Sequence, residues 1–218
     1  MIPNILYEDE SILVCIKPAG IPTQTKQIRT PDMVSILKNH LMKSTPSKSS
    51  PYLAVIHRLD QPVEGLLVFA KTPNSAKELN KQLQNEGFGK YYQAVVHGCP
   101  NPTEGELHHF LVKNGHSNTS SVCTKDTPNA KHAALRYKVL STLSSTPAKS
   151  LVEIHLETGR HHQIRVQLSH IGHPIIGDKK YGSPDDNSPQ LQLFACRLEF
   201  KHPRTKKHME FIHTPSIT

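Results

Sequence analysis

Two apolar runs, Leu53-Ala54-Val55-Ile56 and Leu66-Leu67-Val68-Phe69-Ala70, flank a charged segment that Gly65 closes. The pattern predicts strand, tight turn or loop, strand, with Arg58 and Asp60 held at the connection. Burying both runs leaves the segment between them little freedom. An Asp beside an Arg on such an anchored loop is a candidate for a permanently ionised nucleophile or base. The plainer alternative is an Asp that caps a turn or pairs with Arg58 for structure.

The chain has 218 residues, a formal net charge of +8 and 15 histidines. Its length allows a full core in one large domain or two small ones. A cationic chain of this size reads as meeting a polyanion, which in a cell usually means nucleic acid; a merely soluble basic surface is the alternative. The four cysteines (Cys15, Cys99, Cys123 and Cys196) form no C-x-x-C pair, which points to a reducing compartment and the cytoplasm. No signal-peptide layout opens the chain, and no apolar run approaches the length of a membrane span.

Ile5-Leu6-Tyr7 and Ile12 to Ile16 predict two strands around the acidic turn Glu8-Asp9-Glu10. Thr30-Pro31 predicts a helix start, with Met33, Ile36, Leu37 and Leu41 at helical spacing. Lys43 to Pro51 reads as a positively charged surface loop. Thr72-Pro73 opens a second helix with Ala76, Leu79 and Leu83 on one face. Further strands are predicted at Lys90 to Val96, around Leu135-Tyr137-Val139, around Val152-Ile154-Leu156 and from Leu191 to Phe200. A third helix carries Ile164, Leu168 and Ile171 on one face and stops at Gly172. Strands outnumber helices, so the fold class is α+β on a mixed, largely antiparallel sheet flanked by helices and loops.

Three further features bear on chemistry. Tyr91 and Tyr92 alternate on one strand, so their side chains leave on opposite faces. Arg160 and Arg165, in Thr158-Gly159-Arg160-His161-His162-Gln163-Ile164-Arg165, sit at a strand-to-helix junction from which an Arg can pair with a carboxylate on another strand. The histidines at 108–109, 161–162, 170 and 173 lack the spacing of a metal site, and no dinucleotide or Walker loop is present.

Taken together, HRLD at 57–60 with Gly65, KYYQAVVHG at 90–98 and TGRHHQIRVQLSHIGHPIIGDKKYG at 158–182 resemble the RluA-type RNA pseudouridine synthases. YEDESILVCIKPAGIP near the start and LQLFACRLEFKHP at 191–203 are similar to the same family's first and last signatures. The resemblance implies one catalytic domain over 1–218, a form without an N-terminal S4 RNA-binding domain, and an active-site cleft across the sheet. It implies isomerisation of uridine to pseudouridine in structured ribosomal or transfer RNA, by a monomer, with no metal and no cofactor.

By the same resemblance the catalytic residues are Asp60, Tyr92 and Arg165, with Arg165 the partner of the aspartate. Arg58 would fill the place of the flipped base. His57, Arg160, His162 and Gln163 would bind substrate, and Leu193 would line the pocket. The chain departs from the family's H-R-L-D-x-x-T-S-G in having Val63 and Glu64 where Thr and Ser are usual, and Glu64 is expected to point away or to pair with a cation. Two other readings are a non-catalytic RNA-binding module and a His-dependent metal hydrolase. The intact Asp60, Tyr92 and Arg165 set argues against the first.

Overall fold

The computed structural model describes residues 3–215 apart from 28, 45–49, 86, 144–146 and 185. In chain order the elements are β1 (Asn4–Glu8), β2 (Ile12–Lys17), α1 (Met33–Ser44), β3 (Ala54–Val55), β4 (Glu64–Ala70), α2 (Pro73–Gln84) and β5 (Phe88–His97). Then follow β6 (Glu104–Asn114), β7 (Thr119–Cys123), β8 (Lys131–Leu143), β9 (Lys149–Leu156), α3 (Gln163–His170), β10 (Leu193–Lys201) and β11 (His208–Ile212). This is the expected α+β architecture, mixed and largely antiparallel sheet with three helices among the described residues. The chain packs as two compact units, residues 3–89 with 195–215, and residues 90–194.

In the first unit the strand order is β1-β2-β4-β10, with β3 on β4 and β11 on β10. Asp9 makes the β1–β2 turn by accepting the N–H groups of Ser11 (2.7 Å) and Ile12 (2.8 Å). β2 is buried nearly throughout, which explains its unbroken apolar run. Ile12, Val14, Leu66 and Val68 form the core with Ala76 and Leu79 of α2 and with Phe88, Leu198 and Phe200. α2 starts where the sequence predicts. Thr72 Oγ1 accepts the Ser75 N–H, and Pro73 stands in the first turn, where its missing donor costs nothing.

Two details differ from the sequence reading. α1 is capped by Asp32, not Thr30: Asp32 Oδ1 accepts the Ser35 N–H at 2.7 Å, and the Asp32 N–H donates to Ser35 Oγ at 3.1 Å. That reciprocal pair satisfies two backbone donors, which Thr30 ahead of Pro31 does not do. The apolar run at 53–56 yields only the short β3, paired Ala54↔Ala70 and Val55↔Phe69. Residues 56–63 therefore form a long connection, the loop of the two expected alternatives. Most of the predicted Lys43 to Pro51 loop, Lys48 included, lies outside the described residues.

The second unit is an antiparallel array in the order β5-β9-β8-β6-β7, with α3 packed on β6 and β7. Neither β6 nor β7 is legible in the sequence, and β11 of the first unit is missed in the same way. β6 reads Glu-Gly-Glu-Leu-His-His-Phe-Leu-Val-Lys-Asn, and among these only Leu111 is fully buried. Pairing with β8 along Glu104↔Lys138 to Leu111↔Lys131 fixes it as a strand, and that pairing is not a local property.

Gly65, the second residue of β4, lies opposite Lys17 with φ at +135°, a region that L side chains avoid. A Cβ there would lie 2.6 Å from the Ala195 nitrogen and 2.7 Å from the Ala195 Cβ. Gly65→Ala should cost at least about 2 kcal/mol through strain and steric clash. The urea midpoint of the variant against the parent checks this.

Candidate functional site

Asp60 lies in the 56–63 connection, and its neighbours on both sides are tied down. The Leu59 N–H donates to Thr23 Oγ1 at 3.2 Å, and the Thr23 hydroxyl donates back to the Leu59 carbonyl at 3.1 Å. The Gln61 carbonyl accepts from the Gly20 N–H at 2.8 Å, and its side-chain amide donates to the Gly20 carbonyl at 2.9 Å. Leu59 and Val63 are buried, so the loop is pinned by apolar contact as well. The 22–25 segment that holds Leu59 is in turn held by α1: Met33 N–H donates to the Pro22 carbonyl, and Asp32 accepts the Thr25 N–H.

A residue the sequence reading did not single out joins these loops. Lys17 is fully buried, and its ammonium donates to the carbonyls of Ile21 (2.7 Å), Pro18 (2.9 Å) and Gln61 (3.0 Å). Three N–H donors meet three carbonyls, which fixes both loops to one point. Burial pushes the Lys17 ammonium down from the usual 10.5 to about 8, against the opposing pull of the Asp60 and Glu64 carboxylates. Within this unit Asp60 thus has a buried cation in electrostatic reach. The signal for Lys17 was its position: a lysine ends a strand that is otherwise apolar, just before Pro-Ala-Gly.

Glu64 pairs with His213 Nε2 at 3.0 Å. That partner lies just beyond β11. His57 takes the Val68 N–H on Nε2 at 3.4 Å and sets its ring edge against Phe88 at 5.5 Å. Arg58 is exposed.

In the second unit Tyr92 is buried, opposite Ile154, on the same face of β5 as Lys90. Tyr91 points the other way and stacks on His155 with centroids 4.5 Å apart and planes 13° from parallel. Burial, and then the nearby Arg160 charge, lowers the Lys90 ammonium to about 8. Leu193 is buried.

The 158–165 segment is organised by Gln163. Its amide oxygen accepts from the Thr158 hydroxyl (2.7 Å) and the Arg160 N–H (2.9 Å), and its nitrogen donates to the Ala134 carbonyl (3.0 Å). His162 caps α3 in the left-handed region at φ 54° without a side-chain bond to the helix. Its Nδ1 shares a 2.7 Å hydrogen bond with the Tyr181 hydroxyl. Gln163 and His162 thus both help to hold this turn. Arg160 is exposed and donates from Nε to the His132 carbonyl at 2.7 Å.

Arg165, on α3 and 5 % exposed, forms a two-pronged ion pair with Asp178. Nε meets Oδ2 and Nη2 meets Oδ1, both at 2.7 Å. Burial works to raise the Asp178 carboxyl, but the guanidinium and the N–H groups of Lys180 and Tyr181 outweigh it and hold it below the usual carboxylate range. Asp178 was missed although it stands within a quoted motif, because an Asp between Gly and Lys reads as a turn residue. The histidine pairs stack or meet edge-on, as His161 with His162 at 3.8 Å, yet no three His, Cys, Asp or Glu side chains among the described residues gather as metal ligands.

Residues 11–170 match the family model for RNA pseudouridylate synthase. The chain is 33% identical to the dual-specificity RNA pseudouridine synthase RluA of Salmonella typhimurium, over 95% of this chain and 90% of that protein. It is 34% identical to the uncharacterized RNA pseudouridine synthase YlyB of Bacillus subtilis, spanning 67% of that protein's length. It is 32% identical to the ribosomal large subunit pseudouridine synthase D of Neisseria meningitidis, of which it spans 57%. The fold is that of human RNA pseudouridylate synthase domain containing 4, with a TM-score of 0.78, 24% identity, and 97% of this chain and 88% of that one covered.

The buried Lys17 gives a pH test. The folded chain binds this proton less tightly than the unfolded chain, so between about pH 8 and 10.5 rising pH relieves the cost of the buried charge. Across that window the parent should gain stability relative to Lys17→Met by up to about 3 kcal/mol. Denaturant unfolding of both proteins at pH 7.5 and pH 10 measures it, and parallel pH dependences would contradict it.

Proposed function

We propose that this chain, which belongs to the RNA pseudouridylate synthase family, isomerises specific uridines in ribosomal or transfer RNA to pseudouridine. Members of that family are isomerases. The observation that carries the reading is the family match over 11–170, which contains Asp60, Tyr92 and Arg165 and runs through both compact units. That continuity supports treating 1–218 as one catalytic domain. The Neisseria relative's name assigns it the large ribosomal subunit, and the Salmonella relative's name assigns it dual specificity. Ribosomal RNA is therefore one substrate class to test and transfer RNA the second.

In this reading Asp60 is the catalytic carboxylate, and the ties on Leu59 and Gln61 support it by fixing where the carboxylate starts from. A uridine in a helix is out of reach until it is flipped out, at a cost of a few kcal/mol. An exposed Arg58 suits the task of occupying the gap left behind. Tyr92 offers its ring to the detached uracil and its hydroxyl to the proton on carbon 5. Arg165 is the arginine of the family's H-Q-I-R pattern. The reading takes the protein as a monomer. The four free cysteines support a reducing, cytoplasmic setting.

Asp60→Asn keeps the side chain's size and removes its charge. It should abolish pseudouridine formation in transcripts of ribosomal and transfer RNA while leaving RNA affinity within about threefold. Mass spectrometry of the digested transcripts reads the product, and appreciable turnover by the variant would remove Asp60 from the mechanism.

Tyr92→Phe should slow turnover at least about tenfold with little change in affinity, the scale of a lost acid–base contact. Tyr91→Phe should change neither, because its ring rests on His155 on the opposite face. Single-turnover rates at saturating RNA separate the two.

The basic surface should make binding salt-dependent. With Lys43, Lys179 and Lys180 among several phosphate contacts, log affinity against log salt should fall with a slope of about −2 to −4. A flat plot would assign the positive charge to something other than RNA.

A further inference from the structure

We propose that Asp178 and Tyr181 are positioning residues for Arg165, and that the 177–182 turn is a clamp that sets the direction of its guanidinium for the reaction. This rests on the reading of Arg165 as a functional arginine.

The clamp acts on both the edge and the face of the guanidinium. On the edge, Asp178 takes Nε and Nη2 in two parallel 2.7 Å bonds, which fixes the plane of the fork. The carboxylate has no freedom of its own, since Oδ1 also accepts the N–H groups of Lys180 (2.9 Å) and Tyr181 (3.1 Å). On the face, the Tyr181 ring lies 5.1 Å from the guanidinium carbon. That ring is held at its far end, where the hydroxyl accepts the Ser120 N–H and shares a hydrogen bond with His162 Nδ1, each at 2.7 Å. The Tyr181 carbonyl accepts the Ser169 hydroxyl at 2.8 Å, which ties the turn back to α3.

The turn has the compactness such a device requires. Gly177 has φ at +74°, and a Cβ on it would run into the Gln190 carbonyl; a Cβ on Gly182 would run into the carbonyl of Asp178 itself. A purely stabilising role explains this arrangement poorly. The desolvation of a buried ion pair offsets most of its attraction, and apolar residues of similar volume would serve as well. Asp178 commits two of the guanidinium's five N–H donors, and the pair as a whole is neutral. Arg165 then acts by the aim of its other donors rather than by net charge. A lysine, a point charge without a planar fork, is a poor substitute.

The test is a double-mutant cycle on single-turnover rate and RNA affinity, using Asp178→Asn, Arg165→Lys and their combination, with melting temperatures alongside. Asp178→Asn should slow single turnover at least tenfold and change the RNA dissociation constant less than threefold. On the Arg165→Lys background the same change should slow it less than threefold further, because the aim is already lost. A wild-type rate for Asp178→Asn, or full tenfold losses on both backgrounds, overturns the proposal.

If Asp178→Asn does not fold, Asp178→Glu replaces it, since the charge stays and only the carboxylate moves by one methylene. A rate loss of tenfold with a near-native melting temperature then supports the clamp, and a wild-type rate overturns it. Failure of the underlying reading looks different. Arg165→Lys at the wild-type rate removes Arg165 from the reaction and the clamp with it, and a parent protein without pseudouridine formation removes the function.

Discussion

The ion pair between Arg165 and Asp178 is the constraint around which the second unit is arranged. An Arg 5 % exposed on a helix must find its counter-charge inside the protein. The turn from Gly177 to Gly182 provides it, and the same turn sends Tyr181 under the guanidinium and up to His162 and Ser120. Through those contacts, the left-handed entry to α3, the start of β7 and the arginine are held as one network. Removing any member leaves a buried polar group without its partner, the costly half of every hydrogen-bond exchange.

The first unit solves a similar problem with a lone lysine. Lys17 has no carboxylate in contact; it is stabilised by three carbonyls and by the field of Asp60 and Glu64. The arrangement couples the loop after β2 to the loop that carries Asp60, so the position of the carboxylate is inherited from a strand at the centre of a core. Glu64 shares a hydrogen bond with His213, and Val63 is a buried anchor. The two residues are thus accommodated by packing on one side and by a hydrogen bond on the other.

Much of this was legible in the sequence. β2, β4, β5, β8, β9 and β10 announce themselves by alternation or by unbroken apolar runs, and α2 by Thr72-Pro73 and its apolar face. The opposite directions of Tyr91 and Tyr92 follow from strand geometry alone. What escaped was decided at a distance. β6 is a strand because β8 pairs with it, although charges and histidines break up its pattern. Lys17 and Asp178 look like surface or turn residues until the groups that bury and satisfy them are brought together. The bonds from Gln163 to Ala134 and from His162 to Tyr181 escape for the same reason, since those partners are remote in sequence.

Under the proposed function this chain makes pseudouridine in RNA. The most direct measurement is a map of pseudouridines in ribosomal and transfer RNA from cells with and without its gene. A small set of uridines should be modified only when the gene is present. Identical maps in the two strains would contradict it.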